Sequence, residues 1–407
     1  GYVGKVSKAD MTMDPYYVPS DTVGRLGIEA QYESVLRGAH GQLRFSDAQT
    51  IVSRKAMPGA HVVLSMDMAV QKELYNSLES ILREAGLTEA SAVVQDPRDG
   101  SVLGMVSFPS YNNNIFNGSR LSQSDYDVLF NGNASPLFNR IISGRYNPGS
   151  TIKPFIGMTA LQEHIVRPDQ VVTNDCISIS IPNPSNPEDP YVFKNWRLDT
   201  GPFNLYRAIA DSCNVYFFTV GGGYQSINGL GIERIAKYLH SAYADALLSV
   251  DLPGEEHGFI PTPDWKYVTT KEPWYQGDTY NISIGQGDLL VTPLWMNSIV
   301  SAIANGGTLW KPRVASRVVD EKRETLAVIE ARQLGSLPFS AEVIRQMQVA
   351  MRRTVTDGTG RLFADLPITV AAKTGTAEVV KGRRINSLVT VYAPAENPQI
   401  ALTVLIE

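Results

Sequence analysis

Ser150 and Lys153 are the residues whose types and spacing best suit nucleophilic catalysis. Residues three positions apart on a helix lie on one face, with Cβ atoms about 5–6 Å apart, so the Lys153 amine can reach the Ser150 hydroxyl. A serine hydroxyl becomes a good nucleophile when a base accepts its proton, and no histidine lies close by in the sequence. Lys153 is therefore the predicted base. It must be neutral to act, and burial or a second cation lowers a lysine pKa.

A second motif, Ser212-Cys213-Asn214, follows a helical stretch and precedes an apolar run, which predicts a loop between two helices. We expect Ser212 to pass a proton between a leaving group and Lys153. We expect Asn214 to hold an amide of the substrate. Taken alone, such a tripeptide is more often a helix cap. The same is true of an isolated serine three positions before a lysine.

A third motif, Lys373-Thr374-Gly375-Thr376, continues a strand-like run. A glycine within a strand often marks close approach by a ligand or another backbone, so an extended substrate is expected to pair with this strand. We assign Thr374, Gly375 and Thr376 to substrate binding and Lys373 to catalysis as the second cation. The backbone N–H groups of Thr376 and Ser150 are the predicted oxyanion hole. Alone, the motif is an ordinary edge strand; the ordered set of three supports catalysis.

The elements around these motifs predict an α+β fold. A turn before Ser150 and an apolar helix after it place this serine at a helix N-terminus, which favours developing negative charge. Strand-like runs at 90–94 and 102–107 flank a turn and form a predicted hairpin, and runs at 388–393 and 400–406 close the chain. We expect one antiparallel sheet from the N- and C-terminal segments, with a helical subdomain between them.

The chain is predicted to divide near residue 60. Residues 1–60 are rich in glycine and polar groups and offer no compact core of their own. Residues 61–67 then read as a strand, and residues 68–85 as a helix that ends at Gly86, a residue type favoured just after helices. We therefore predict a small N-terminal segment, 1–60, and a catalytic domain, 61–407.

Composition excludes some classes of function. Lys and Arg total 36 against 41 Asp and Glu, a net charge of −5, with no basic stripe interleaved with aromatic residues, so nucleic acid is excluded as a partner. No apolar run reaches the ~18–20 residues of a membrane span, and the first residues do not form a signal peptide. We expect an anchor or a further helix to lie outside the sequence, which lacks an initiator Met.

The two cysteines, Cys176 and Cys213, allow either two free thiols or one bridge, and we expect free thiols. No histidine lies between His164 and His240, so a zinc site at these cysteines is not predicted. No metal and no cofactor are predicted for this chain.

The three motifs resemble those of the penicillin-binding proteins and serine β-lactamases. The separation of 223 positions from Ser150 to Lys373 suits the long transpeptidase domains. Gly27-Ile28-Glu29 and Leu36-Arg37-Gly38 are similar to the pedestal of class B penicillin-binding proteins. The segment 273–279, with Gly285-Gln286-Gly287, is similar to the elongation-type group, penicillin-binding protein 2. Asn214 departs from the aspartate that many elongation-type members carry.

This resemblance implies a peptidoglycan D,D-transpeptidase that cross-links stem peptides ending in D-Ala-D-Ala through a Ser150 acyl-enzyme and is a target of β-lactam antibiotics. It also implies a membrane glycan polymerase as partner of the pedestal, and a bacterial inner-membrane anchor that places the catalytic domain in the periplasm. The alternatives are a β-lactamase or D,D-carboxypeptidase, in which water takes the acyl group, and a penicillin-sensing receptor or non-catalytic scaffold.

Overall fold

The N-terminal segment of the computed structural model is made of short elements with little buried apolar surface. The structure describes residues 1–46, 49–117, 121–132, 134–183, 186–380 and 384–407. The elements of this segment are β1 (Tyr2–Lys5), α1 (Lys8–Met13), β2 (Thr22–Leu26), α2 (Gly27–Gln31), α3 (Glu33–Leu36), β3 (Gln42–Ser46) and β4 (Gln49–Arg54). Among its described side chains, Val23 is the one buried apolar residue, as the glycine-rich composition predicts.

A strand, a long helix and a hairpin follow. They are β5 (His61–Leu64), α4 (Met68–Ala85), β6 (Ala90–Gln95) and β7 (Val102–Phe108). The Asp67 carboxylate accepts hydrogen bonds from the N–H groups of Ala69 and Val70, and Gly86 ends the helix with a left-handed φ of 67°. Both the predicted helix and the predicted antiparallel hairpin are confirmed.

The middle of the chain is mainly helical, as predicted, but it contains four short strands that the periodicity did not reveal. The helices are α5 (Gln123–Tyr126), α6 (Lys153–Gln162), α7 (Leu205–Ala210), α8 (Asn214–Gly222), α9 (Gly231–Ser241), α10 (Pro263–Thr270), α11 (Gln276–Ser283) and α12 (Pro293–Ala304). The strands are β8 (Thr173–Asp175), β9 (Ser178–Ile181), β10 (Tyr191–Lys194) and β11 (Thr200–Phe203). Strand β8 pairs with β11, and β9 with β10, so the described residues of the segment 173–203 form a folded excursion between α6 and α7.

The C-terminal part returns to strands. Its elements are β12 (Thr308–Trp310), β13 (Ala315–Val319), β14 (Thr325–Val328), β15 (Gln333–Ser336), α13 (Ala341–Thr356), β16 (Ala371–Val380), β17 (Arg384–Ala393) and β18 (Ile400–Ile406). Strands β16, β17, β18, β6 and β7 form, in that order, a five-stranded antiparallel sheet. The chain thus closes one sheet from both sides of the helical region, and the predicted α+β architecture is confirmed.

The helices that cover the sheet differ in the distribution of apolar residues around the helix axis. Every residue of α12 is buried, and this helix contacts β6, β17 and β18. Helix α4 contacts β6 and β7 and buries one stripe, around Leu78 and Leu82. A helix that is apolar on all sides belongs in a core, whereas an amphipathic helix belongs at the surface. None of the described helices combines the length and apolarity needed to cross a bilayer.

The expectation of two free thiols is wrong, because Cys176 and Cys213 form a disulfide. Their Cα atoms are 5.8 Å apart although 37 positions separate them in the sequence. The pairing arises because the excursion 173–203 folds back over the loop between α7 and α8. Both residues are fully buried. Two cysteines are compatible with either state, so only the path of the chain between them decides the pairing.

Replacing the N-cap of α4 is expected to destabilise the protein. Asp67→Ala removes the acceptor for two N–H groups of the first turn, which typically costs about 1 kcal/mol. The free energy of unfolding, measured by urea titration, should fall by that amount. Asp67→Asn keeps an acceptor oxygen and is the control; an equal loss in both variants would show that the carboxylate charge, and not the cap, is responsible.

Candidate active site

Ser150 lies in a short 3₁₀ turn, Gly149–Ile152, that runs directly into α6. The turn depends on Gly149, whose φ is +51°. Its N–H donates to the carbonyl of Gly285 at 2.9 Å, which fastens the turn to the glycine-rich segment that follows α11. The predicted position at a helix N-terminus is therefore found, with a 3₁₀ turn in place of a first α-helical turn. Ser150 is partly exposed, whereas Lys153 is buried.

Lys153 joins the first motif to the second. Its Nζ donates to the carbonyl of Ser212 at 2.8 Å and to Asn214 Oδ1 at 2.6 Å, and it lies 3.2 Å from Ser212 Oγ. A neutral amine has two N–H donors and one lone pair, so the hydroxyl of Ser212 can donate to that lone pair. Within the described part of the chain, Nζ makes its hydrogen bonds with the second motif and none with Ser150.

Burial sets the charge state of both lysines. Lys153 is fully buried, and desolvation lowers its pKa well below the ordinary lysine value; the nearby Lys373 lowers it further. Burial lowers the pKa of Lys373 to about 7. A neutral amine in the interior can accept a proton, whereas an ordinary surface lysine is already protonated at neutral pH. The neutral state that the sequence interpretation required thus has a physical cause in the fold.

The second motif occupies the predicted loop, between α7 and α8. Ser212 has a left-handed φ of 55°, unusual for a residue other than glycine. The excursion 173–203 holds this loop from outside: Trp196 Nε1 donates to the Ser212 carbonyl at 3.3 Å, and the Asn214 N–H donates to Asn195 Oδ1 at 2.9 Å. Each end of the motif therefore has a partner in the excursion.

The third motif lies on β16, the edge strand of the sheet, next to the serine turn. Lys373 Nζ donates to the carbonyl of Thr374 at 2.8 Å, and Thr374 Oγ1 lies 2.7 Å from Thr359 Oγ1. A Cβ atom at Gly375 would lie 2.9 Å from Thr151 Cγ2 and 3.1 Å from its backbone nitrogen. The close approach predicted at this glycine is therefore made by the serine turn itself. The part of Gly375 in substrate binding stays a prediction.

The backbones of the predicted oxyanion hole are neighbours. A Cβ atom at Gly149 would lie 2.6 Å from the carbonyl oxygen of Thr376. Gln286 Nε2 donates to that same oxygen at 3.3 Å. Ser150 follows Gly149 directly, so its N–H group lies next to the Thr376 segment. The joint use of the Ser150 and Thr376 N–H groups remains a prediction.

Sequence reasoning missed the residues that support the motifs, namely Asn195, Trp196 and Thr359. Asn195 and Trp196 precede their partners by 19 and 16 positions, within a segment whose strands are too short to show a periodic pattern. Thr359 precedes Thr374 by 15 positions. No spacing rule links such pairs. The described residues contain no cluster of three or more His, Cys, Asp or Glu side chains placed to hold a metal ion.

Comparison with known proteins agrees with this arrangement of motifs. A family model described as the penicillin-binding protein transpeptidase domain matches residues 90–407. The chain belongs to the penicillin-binding protein transpeptidase family. A model described as the penicillin-binding protein dimerisation domain matches residues 1–64.

Curated relatives of this penicillin-binding protein include the peptidoglycan D,D-transpeptidase MrdA of Haemophilus influenzae, which is 31% identical over 442 residues. MrdA of Escherichia coli K12 is 29% identical over 439 residues. The alignments cover 100% of this chain but 64% and 66% of those two relatives, so the chain spans somewhat less than two thirds of their length.

Similar solved structures include two of penicillin-binding protein 2. That of Pseudomonas aeruginosa, in complex with WCK 5153, is 30% identical with a TM-score of 0.81, and the match covers 100% of this chain and 83% of that chain. That of Helicobacter pylori, in complex with MreC, is 28% identical with a TM-score of 0.81, and the match covers 100% of this chain and 72% of that chain.

Removing the positive charge at Lys373 is expected to move the pH dependence of acylation. Lys153, the predicted base, can accept a proton only when neutral, and the charge of Lys373 lowers the pKa of Lys153. In Lys373→Met the pKa of Lys153 therefore rises, and the acid limb of the acylation rate moves to higher pH. The rate with a reporter penicillin, measured from pH 5 to pH 10, checks this. Exposed Lys322 offers the control Lys322→Met; a limb that stays in place in both variants would contradict the coupling.

Adding one methyl group at Gly149 is expected to slow acylation by about 10²-fold, the usual effect of displacing reacting groups by about 1 Å. In Gly149→Ala the new Cβ would lie 2.6 Å from the Thr376 carbonyl oxygen, so the turn and β16 must separate. Gly86→Ala is the matched control, because Gly86 also has a positive φ but nothing lies within 4 Å of its added Cβ. Acylation that is equally slow in both variants would assign the effect to lost stability.

Proposed function

We propose that this chain is the catalytic part of a peptidoglycan D,D-transpeptidase. The observation that carries the proposal is the meeting of three distant motifs around one buried amine. Lys153 Nζ contacts Ser212 and Asn214, and β16 with Lys373 lies against the turn of Ser150. The name of the curated relatives, peptidoglycan D,D-transpeptidase, supports the same activity.

In the acylation step, Ser150 Oγ attacks the carbonyl carbon of the penultimate D-Ala of a stem peptide. The hydroxyl proton passes to neutral Lys153. An ester bond forms to Ser150, the amide bond to the terminal D-Ala breaks, and the leaving amine receives a proton through Ser212. The N–H groups of Ser150 and Thr376 stabilise the oxyanion, the preorganised type of stabilisation on which acyl transfer depends.

Binding of the donor peptide follows from the position of the third motif. An extended peptide adds to the edge strand of a sheet by main-chain hydrogen bonds, and β16 is the edge strand of this sheet. Thr374, Gly375 and Thr376 bind the end of the donor, with Lys373 beside the terminal carboxylate. Asn214, at the start of α8, holds an amide of the stem. Its Oδ1 accepts from Lys153, so its amide nitrogen is the group available to a substrate carbonyl.

In the second step, an amine of a neighbouring stem peptide attacks the ester carbon. The ester bond breaks, a new amide bond forms, and Ser150 Oγ takes back a proton. The two stem peptides are then cross-linked. β-Lactams acylate Ser150 in the same way, but the amide bond that breaks lies within a ring, so the leaving nitrogen remains joined to the acyl group and does not diffuse away.

We further propose a division of the chain into a pedestal, residues 1–60, and a transpeptidase domain, 61–407. Among the described side chains of the pedestal, Val23 is the one buried apolar residue, which suits a segment whose surface serves contacts with other proteins. Its partner is a membrane glycan polymerase of the elongation machinery. In support, similar solved structures include a penicillin-binding protein 2 with MreC and a peptidoglycan synthase complex with coordinated polymerization and crosslinking. The protein is anchored in the inner membrane with this domain in the periplasm.

Intact-mass analysis after incubation with a penicillin tests the catalytic assignment. The native sequence should gain the mass of one penicillin, and Ser150→Ala should gain none, because the nucleophile is absent. Ser77→Ala, on the exposed face of α4, is the control and should acylate normally.

Two outcomes would contradict the proposal. An adduct that persists in Ser150→Ala would place the nucleophile elsewhere. An adduct that is lost within seconds, with release of hydrolysed penicillin, would make water the acceptor and the protein a β-lactamase or a D,D-carboxypeptidase.

A further inference from the structure

The disulfide lies within the predicted catalytic machinery. Cys213 stands between Ser212 and Asn214, and Cys176 belongs to the excursion 173–203. The chain has two cysteines in all, so this is its one possible intramolecular disulfide. It joins the second motif to a segment that contributes no residue to any of the three motifs.

All three residues of the second motif have a bonding partner outside the loop between α7 and α8. Ser212 is held through its carbonyl by Lys153 and Trp196, and Asn214 is held through its backbone by Asn195. Between them, Cys213 is held covalently. The hydrogen bond from Trp196 is long, 3.3 Å, and Trp196 is 57% exposed, so water competes for this contact. The covalent bond is the contact that solvent does not weaken.

The backbone of Ser212 needs such support. A residue other than glycine in the left-handed region is strained and persists only where its surroundings over-determine it. Without a fixed neighbour at Cys213, Ser212 can relax to an ordinary conformation. That change would turn its carbonyl and hydroxyl, which both contact Lys153 Nζ, away from the amine.

The far end of the bridge is equally well fixed. The Cys176 N–H donates to the carbonyl of Asp199 at 2.7 Å, which ties it to the start of β11. Two arginines then join the excursion to α7: Arg197 pairs with Asp211, and Arg207 pairs with Asp199. The sulfur bridge therefore connects the motif to a braced segment, not to a free loop.

We propose that the Cys176–Cys213 disulfide is a positioning element of the acylation site, and that acylation of Ser150 at full rate requires its oxidised state. This inference rests on the proposed function and deepens it. In the native fold both cysteines are buried, so thiols in solution reach the bridge only after local opening.

The pH profile separates positioning from general stability. Among the described residues, the charged side chain that acts on Lys153 is Lys373, on β16, whereas Ser212, Asn214 and Phe217 are uncharged neighbours of Lys153. A displaced second motif admits water to Lys153 and restores part of its solvation. The acid limb of the acylation rate should then move to higher pH, in addition to a fall in the maximum rate.

The experiment compares three samples with a reporter penicillin: the oxidised native sequence, the native sequence refolded in a dithiol, and Cys176→Ala. The dithiol gives two electrons and two protons to the bridge, which becomes two thiols while the reagent becomes a disulfide. Cys176→Ala breaks the bridge from its far side and keeps Cys213, whose sulfur also accepts from the Tyr216 N–H. We expect acylation at least about tenfold slower in both altered samples, with a shifted acid limb. Reoxidation should restore the native rate in the dithiol-treated native sequence but not in Cys176→Ala, which has no second cysteine.

Ile179→Val is the matched control, because it removes a buried methyl group from the same excursion and leaves the bridge intact. Native rates and an unmoved acid limb in the bridge-free samples would overturn the inference. Loss of the folded state in both samples would also overturn it, since the bridge would then be needed for folding and not for positioning. Absence of an adduct in the oxidised native protein would instead refute the proposed function.

Discussion

The desolvated amine of Lys153 is the constraint on which the rest of the site depends. An ammonium ion in an apolar interior is costly, so the fold favours the neutral amine and surrounds it with oxygen atoms. Three of those oxygens come from the second motif, and the nearby lysine charge comes from the third. Burial thus favours the neutral amine that the proposed base requires, and the hydrogen-bond partners of that amine belong to the second motif.

Close backbone approach is the second physical theme. The serine turn can lie against β16 because the two backbone segments meet at glycines, Gly149 and Gly375, where a Cβ atom would clash. Helix α12 is buried on all sides and packs against β6, β17 and β18, and it contributes no residue to the three motifs. The site is therefore a junction between a helix start, an interhelical loop and a strand edge.

Prediction from the sequence succeeded where local rules operate. The helix at 68–85, with Asp67 before it and Gly86 after it, has the predicted bounds because caps act within one turn. The hairpin of β6 and β7 follows from a turn between two β-branched runs. Prediction failed for the four strands between 173 and 203, which are too short for a periodic signal, and for the disulfide, which depends on their path.

The sequence by itself determined which chemical groups are present and in what order: a serine with a lysine one helical turn later, a Ser-Cys-Asn loop, and a Lys-Thr-Gly-Thr strand. These follow from side-chain chemistry and short-range spacing. Only the tertiary structure decided the charge state of Lys153, the partners of its amine and the covalent state of Cys213. Each of these depends on residues tens to hundreds of positions apart, and on water excluded by packing, which no local pattern encodes.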